Sequence, residues 1–261
     1  MDIVDLNHGS GFIYGRAPAP PPIGERIDAL VDDALTAERA VMPARDYLGA
    51  SRIGEPCARR LCYELMQVPV DGGADFSGRM LRIFEAGHRF EEMTIRWLRL
   101  AGFDLRTHKR SGEQFGFSVA SGRLRGHIDG VIVGGPDVSI EYPALFEHKA
   151  LKSSSWQDVV KRGVKASKPI YWAQVQVYMA YLDVERTLFV ALDKDTQALR
   201  YELVSFDPPA AQSLSDKAVA VICAAAVGEL LPRISDDASF FICAFCPYRI
   251  RCHALAEGGN A

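Results

Sequence analysis

Two stretches of this sequence set the terms for any fold it adopts. Residues 126–133 read GHIDGVIV and residues 145–149 read LFEHK. Both are rich in β-branched, aromatic or leucine side chains, the composition of a strand in a sheet core. Both also carry ionisable groups, Asp129, Glu147 and Lys149, where such a run should be dry. Strand side chains alternate between faces, so Glu147 and Lys149 share a face and His148 points the other way. A carboxylate or an ammonium left alone in a core is too costly to persist. The fold must therefore pair these groups or place a ligand among them.

The rest of the chain supplies the frame. Its 261 residues, 48% hydrophobic and 24% charged, suit one large domain with or without an appendage. Residues 1–45 read as an N-terminal arm, Gly- and Pro-rich through RAPAPPPIG and followed by one helix; residues 46–261 read as the main domain. Helical spacing predicts helices over Cys57–Val68, over 79–102 with Gly102 closing the end, over PIYWAQVQVYMAYL with proline in its first turn, and over 208–231. A further helix opens at SSWQDVVKRG behind a serine cap. Strands are expected at FDLRTHKR, FGFSVA, LRGHIDGVIV, ALFEHKA, RTLFVALD and LRYELVSF. Helices before, within and after this set make a mixed α/β pattern, a mixed central β-sheet flanked by helices. No apolar run approaches the roughly 20 residues of a membrane helix, and MDIVDLNHGSGF lacks a secretory pattern. The expectation is a cytoplasmic protein with no membrane partner, whose six cysteines stay reduced or bind a metal. The net charge of −3 does not advertise a nucleic-acid binder, although an average hides local basic stripes.

If Asp129 lies beside Glu147, two carboxylates and a lysine converge. A hard divalent cation, Mg²⁺ or Mn²⁺, takes such oxygen ligands. It lowers the pKa of a bound water and offsets charge on a phosphate under attack. Lys149 would then orient or deprotonate the water, or neutralise the phosphate. The competing reading of ExK alone is a buried pair that joins two strands. Three neighbouring features favour the metal. His88, in FEAGHRFEEM, falls on an apolar helical stripe with Phe84, Ile95 and Leu98 and is expected to face inward as a ligand. Gln174 and Tyr178 lie four apart on one helix face, placed to bond Lys149 or a phosphate. Six basic residues fall between Lys149 and Lys168 against one acidic residue, Asp158, with Trp156, Tyr171 and Trp172 interleaved or adjacent. That mixture tracks a phosphodiester backbone and stacks bases.

In this order a helical His, GHIDG, EHK and QVQVY resemble the RecB-like nucleases of the PD-(D/E)XK superfamily. The resemblance implies a restriction-endonuclease-like core. It implies metal ligation by His88, Asp129, Glu147 and the backbone carbonyl of His148. It also implies that Lys149 serves the water and that Gln174 and Tyr178 orient the site. No catalytic position departs from the pattern.

The tail FICAFCPYRIRC places Cys243, Cys246 and Cys252 in a CxxCx5C array, a ligand set in need of a fourth thiolate. Cys57, Cys62 and Cys223 are the candidates, Cys223 sitting in an apolar helix where it packs. Here the chain is similar to a subset of RecB-like nucleases. That subset comprises CRISPR-adaptation exonucleases, AddAB-type nuclease domains and phage recombination exonucleases. It carries one cysteine before the nuclease motifs and three after, holding a 4Fe–4S cluster that joins the terminal segments. That resemblance implies ligation by Cys57, Cys243, Cys246 and Cys252, with Cys62 as the fallback, and structural Zn²⁺ as the alternative metal.

The reading is thus a metal-dependent DNA nuclease, an exonuclease on single strands or duplex ends, working with a helicase, recombinase or CRISPR-adaptation protein. Two competitors share the fold: a DNA-end-binding module without chemistry, and a redox sensor in which the cluster is the working part.

Overall fold

The computed structural model describes residues 21–254. The expected arm up to Pro20 therefore lies outside the described residues. The chain divides into two units. The smaller holds the described residues up to Met42 together with Phe76–Arg82. Its helix α1 (Ile23–Ala40) buries none of its residues, and Asp32 of α1 is ion-paired with Arg82. The larger unit, Pro43–Asp75 and the chain from Ile83 on, contains every residue singled out above for chemistry.

Its strands are β1 (Leu48–Gly49), β2 (Leu105–Arg106), β3 (Gly116–Val119), β4 (Leu124–His127), β5 (Gly130–Ile132), β6 (Ala144–Leu151), β7 (Arg186–Asp193) and β8 (Leu199–Ser205). They form a three-stranded sheet in the order β1-β4-β3 and a five-stranded sheet in the order β2-β5-β6-β7-β8. The larger sheet is mixed: β6 and β7 run parallel, and the other neighbours run antiparallel. The helices that follow α1 are α2 (Ala58–Leu65), α3 (Gly78–Leu100), α4 (Ser153–Ser167), α5 (Pro169–Leu182), α6 (Pro208–Ala226) and the short α7 (Phe241–Ala244) and α8 (Arg249–Ala254).

A parallel pair needs a long crossover between its strands. Here α4 and α5 supply it between β6 and β7. Both faces of the sheet are consequently covered, and β6 is buried along nearly its whole length. Alternation then sorts the core. Leu145, Leu151, Phe189 and Ala191 pack with Val175, Val177 and Met179 of α5. Phe146, Ile132, Leu188 and Val190 pack with Ile95 and Leu98 of α3. Helix α5 is buried continuously from Ala173 to Met179, as a helix between layers must be. Gln176 ties it to the far edge: its amide nitrogen donates to the Ser205 carbonyl at 3.0 Å, and its oxygen accepts from the Asp207 N–H at 2.7 Å.

The structure departs from the sequence expectation in four places. The single strand expected over LRGHIDGVIV is two: β4 ends at His127, β5 begins at Gly130, and they belong to different sheets. Asp129 sits at this break, and its carboxylate accepts the His148 N–H at 2.8 Å, just past the last β5–β6 partners, Gly130 and Phe146. A side chain thus ends the ladder in place of backbone. Second, FDLRTHKR contributes only Leu105–Arg106 to the sheet. Third, no serine caps α4. Lys152 is its N-cap, and the Ser153 hydroxyl instead donates to the Asp193 carboxylate at 2.8 Å. Within α4 the chain kinks at Gly163, with φ of 74°, and Glu202 accepts the freed Val164 N–H at 3.0 Å. Fourth, α6 stops at Ala226, short of the expected 231. Among the described residues no helix is long and apolar enough to cross a membrane.

Gly126 is required by close packing. A Cβ there would lie 2.5 Å from Tyr178 Cε1, 2.7 Å from Phe117 Cε1 and 2.9 Å from the Ala50 Cβ. Gly126→Ala is expected to cost about 1–3 kcal/mol by overpacking. The shift in the midpoint of chemical denaturation measures it, and a variant as stable as wild type would contradict this packing.

Candidate active site

Strand β6 carries Glu147 and Lys149 onto the α5 side of the sheet. Glu147 is 1% exposed. Its Oε1 is ion-paired with Lys149 Nζ and accepts from Gln174 Nε2 at 2.7 Å. The same Gln174 nitrogen donates to the Tyr178 hydroxyl at 3.0 Å. The four-residue spacing of Gln174 and Tyr178 on α5 therefore sets both over one carboxylate. The Lys149 ammonium also lies 5.4 Å from the centre of the Tyr171 ring, which stacks on Phe189. Tyr171 was not foreseen in this role.

The electrostatics follow from burial. Burial, then the charge of Asp129, push the Glu147 carboxyl up to about 8, with Lys149 pulling against them. Burial likewise raises Asp129, opposed by Lys149 and the His148 N–H. Burial acts to lower Lys149, but Glu147 and Asp129 outweigh it and hold the ammonium above its usual range. Burial and then Glu147 raise the Tyr178 phenol. His148, on the other face, is pushed down to about 3 by burial and then Lys149. It is a neutral imidazole, with Nε2 3.2 Å from the hydroxyl of Thr94 on α3. This contact pins α3 to the back of the strand that carries the site.

Helix α3 corrects one expectation and adds a residue. His88 does not face inward: its side chain is 78% exposed. Between Ile83 and Met93 no residue of α3 is buried, and burial begins at Thr94. The stripe is buried at its C-terminal end, Ile95 and Leu98, while His88 lies on the exposed stretch before it. Glu91, one turn further along, approaches the charged cluster, and His88 stays at its rim, where its charge acts on Asp129. Burial and then Asp129 push its carboxyl up to about 7. His88 Nδ1 stands 3.9 Å from Glu91 Oε2. The sequence signal for Glu91 was its spacing from the buried Thr94, Ile95 and Leu98.

Among the described residues no group of three or more His, Cys, Asp or Glu side chains stands in a geometry that could hold a metal ion. The donor chemistry nevertheless fits a divalent cation. Glu147 Oε2 is buried without a hydrogen-bond partner. It shares a cluster with two further carboxylates, Asp129 and Glu91, that repel it and are themselves desolvated. A hard cation relieves that burden and needs those oxygens.

The cysteines gather elsewhere in the same unit. Cys57, Cys243, Cys246 and Cys252 line one cavity between the N-terminus of α2 and the α7–α8 segment. Cys62 is fully buried in the main core and does not line it, and Cys223 is exposed. The basic stretch is partly spent on internal contacts. Arg162 pairs with Asp158 at 2.7 Å, and Lys165 pairs with Asp207 at 3.2 Å while lying 4.2 Å from the Trp172 ring. The half-buried Trp156 packs against the core, and its indole donates to the Ala191 carbonyl at 3.0 Å.

No protein-family model and no curated protein matches the sequence. Solved structures do. The chain is similar to an alkaline exonuclease (LHK-Exo) from Laribacter hongkongensis, with 15% identity over 75% of this chain and 93% of that one, at a TM-score of 0.50. The same exonuclease in complex with dAMP matches at 17% identity over 70% and 89% of the two chains, with a TM-score of 0.48. A third structure, SSO0001, matches at 13% identity over 87% and 96%, with a TM-score of 0.46. At these identities the likeness is one of fold: the mixed α/β architecture, a mixed sheet flanked by helices, is that of the alkaline exonuclease.

Proposed function

We propose that this chain is a metal-dependent DNA nuclease of the RecB-like PD-(D/E)XK kind, an exonuclease on single strands or duplex ends. The observation that carries the reading is the buried Glu147, paired with Lys149, held by Gln174, and left with one unpartnered oxygen beside Asp129. A purely structural ion pair would have every oxygen satisfied. The fold shared with an alkaline exonuclease supports the reading, and the exonuclease activity is carried over from that neighbour as part of the proposal.

Asp129, Glu147, the His148 backbone carbonyl and His88 are the proposed ligands of Mg²⁺ or Mn²⁺, with Glu91 adding a carboxylate from α3. Such an ion lowers the pKa of a bound water and offsets charge on the scissile phosphate. Gln174 holds Glu147 Oε1 and so leaves Oε2 to ligate. Tyr178 fixes the Gln174 amide. Lys149 holds a positive charge beside the carboxylates, placed to orient the water and to stabilise negative charge developing on the phosphate. Exposed Lys152 and Lys161 remain to track the backbone of the substrate. Cys57, Cys243, Cys246 and Cys252 are proposed to hold a 4Fe–4S cluster, with Zn²⁺ as the alternative, as a staple between segments far apart in sequence. A helicase, recombinase or CRISPR-adaptation partner would supply the ends.

Labelled single-stranded DNA with Mn²⁺ tests the chemistry. Glu147→Gln should lower cleavage at least about a hundredfold. The same change should lower the metal-free melting temperature, because it takes the partner from the Lys149 ammonium. Mn²⁺ should raise the melting temperature of wild type and leave that of Glu147→Gln unchanged. Equal cleavage by both proteins would end the enzyme reading and favour the end-binding module. Lys149→Met should abolish cleavage and cost about 3 kcal/mol by stranding Glu147. The double variant Glu147→Gln/Lys149→Met should recover most of that stability in urea titrations. For the staple, metal and sulfide analysis should find iron and sulfide in wild type and neither in Cys246→Ser, which should also melt lower. Zinc in an active, colourless wild type would select the alternative metal.

A further inference from the structure

We propose that Tyr63 is the hydrogen-bond donor to sulfur in the cysteine cavity, positioning and retaining the group held there; the inference rests on the cysteine reading above. Tyr63 lies on α2 and is 3% exposed, yet its hydroxyl makes no hydrogen bond of normal geometry, and the Cys252 side chain is close enough to raise it after burial does. Its ring is fixed against Tyr248, with centroids 5.0 Å apart, and the two rings form a small buried cluster with Cys252, against which Cys246 packs. The hydroxyl is thus shielded from bulk solvent beside the Cys252 thiol.

The distribution of unpartnered atoms points the same way. Four buried side-chain atoms among the described residues lack a partner. One is Glu147 Oε2, already placed at a proposed metal. Two others, the Tyr63 hydroxyl and His253 Nε2, belong to residues that line the cysteine cavity. Two other tyrosines are satisfied locally: Tyr181 by Ser215 at 2.8 Å and Tyr142 by the Pro136 carbonyl at 3.2 Å. Three arginines that line the cavity are committed to other acceptors. Arg59 donates to the Leu231 carbonyl at 2.7 Å, Arg60 to Glu64 at 3.1 Å, and Arg233 to the Cys252 carbonyl at 3.1 Å. Of the two cavity-lining groups without a partner, the phenol of Tyr63 is the one packed in a buried cluster with a thiol, that of Cys252. A ligating thiolate is anionic and accepts such a bond, which stabilises it against protonation and loss of its metal.

The test uses the full chain purified without oxygen, in wild-type, Tyr63→Phe and Tyr248→Phe forms. Phenylalanine keeps the ring packing and removes only the hydroxyl, and Tyr248 does not line the cavity. Iron, sulfide and zinc are counted first, and release to a chelator is then followed. Tyr63→Phe should release its metal about ten to a hundred times faster than wild type, and Tyr248→Phe at the wild-type rate. If the group is an iron–sulfur cluster, Tyr63→Phe should also shift its midpoint potential to more negative values. Stripped of metal, Tyr63→Phe should melt at or above the wild-type temperature, since it loses an unpaired buried group. Equal release by all three proteins overturns the inference, as does equal acceleration in both variants or a lower melting point for the stripped Tyr63→Phe. Wild type containing neither iron nor zinc overturns the cysteine reading itself, and the metal count reveals that separately.

Discussion

The ion pair between Glu147 and Lys149, set in the middle of a central strand, is the constraint around which the rest is arranged. Removing two charges from water costs several kcal/mol per ion even after relaxation, and Coulomb attraction alone does not always offset it. Here the remainder comes from Gln174, which bonds the same carboxylate oxygen, and from the Tyr171 face near the ammonium. Both groups come from α5, which is held in place because a parallel β6–β7 pair requires a crossover. Topology and electrostatics are therefore one requirement: without the crossover there is no α5 over the pair, and without α5 the pair is stranded.

The two faces of β6 do different work. On the α5 face the charges collect; on the α3 face a neutral His148 bonds Thr94 and fixes the helix that brings Glu91 and His88 to the rim of the cluster. Asp129 joins the faces at the strand break, where its carboxylate takes the backbone bond that a continuous ladder would have supplied. An aspartate at a ladder's end meets two demands at once. It satisfies an amide that would otherwise be orphaned, and it holds its charge next to Glu147. That economy suits the proposed phosphodiester chemistry, which asks for preorganised oxygens in a site with little water.

The cysteine cavity is a second centre built on different physics. Its thiols come from the residue that precedes α2 and from the segment that ends the described chain, and those segments are joined by the Tyr63–Tyr248–Cys252 cluster and by hydrogen bonds from Ile250 and Arg251 to Asp71. A ligand shared by four thiolates would add a further closure of the loop between those segments.

Local patterns were legible in the sequence wherever the structure obeys local rules. Proline at the start of α5, the glycine after α3, the β7–β8 pair and the shared face of Glu147 and Lys149 all follow from side-chain alternation, helical spacing and turn chemistry. The mixed α/β class followed from the order of those elements. Only the tertiary structure decided where a sheet ends and how far a helix is covered. It split GHIDGVIV between two sheets, left His88 exposed while Glu91 moved up to the cluster, and tied the Trp156 indole to β7. Periodicity specifies which direction a side chain points from its own backbone. It does not specify what stands opposite, because that depends on chain segments brought together only when the whole domain packs.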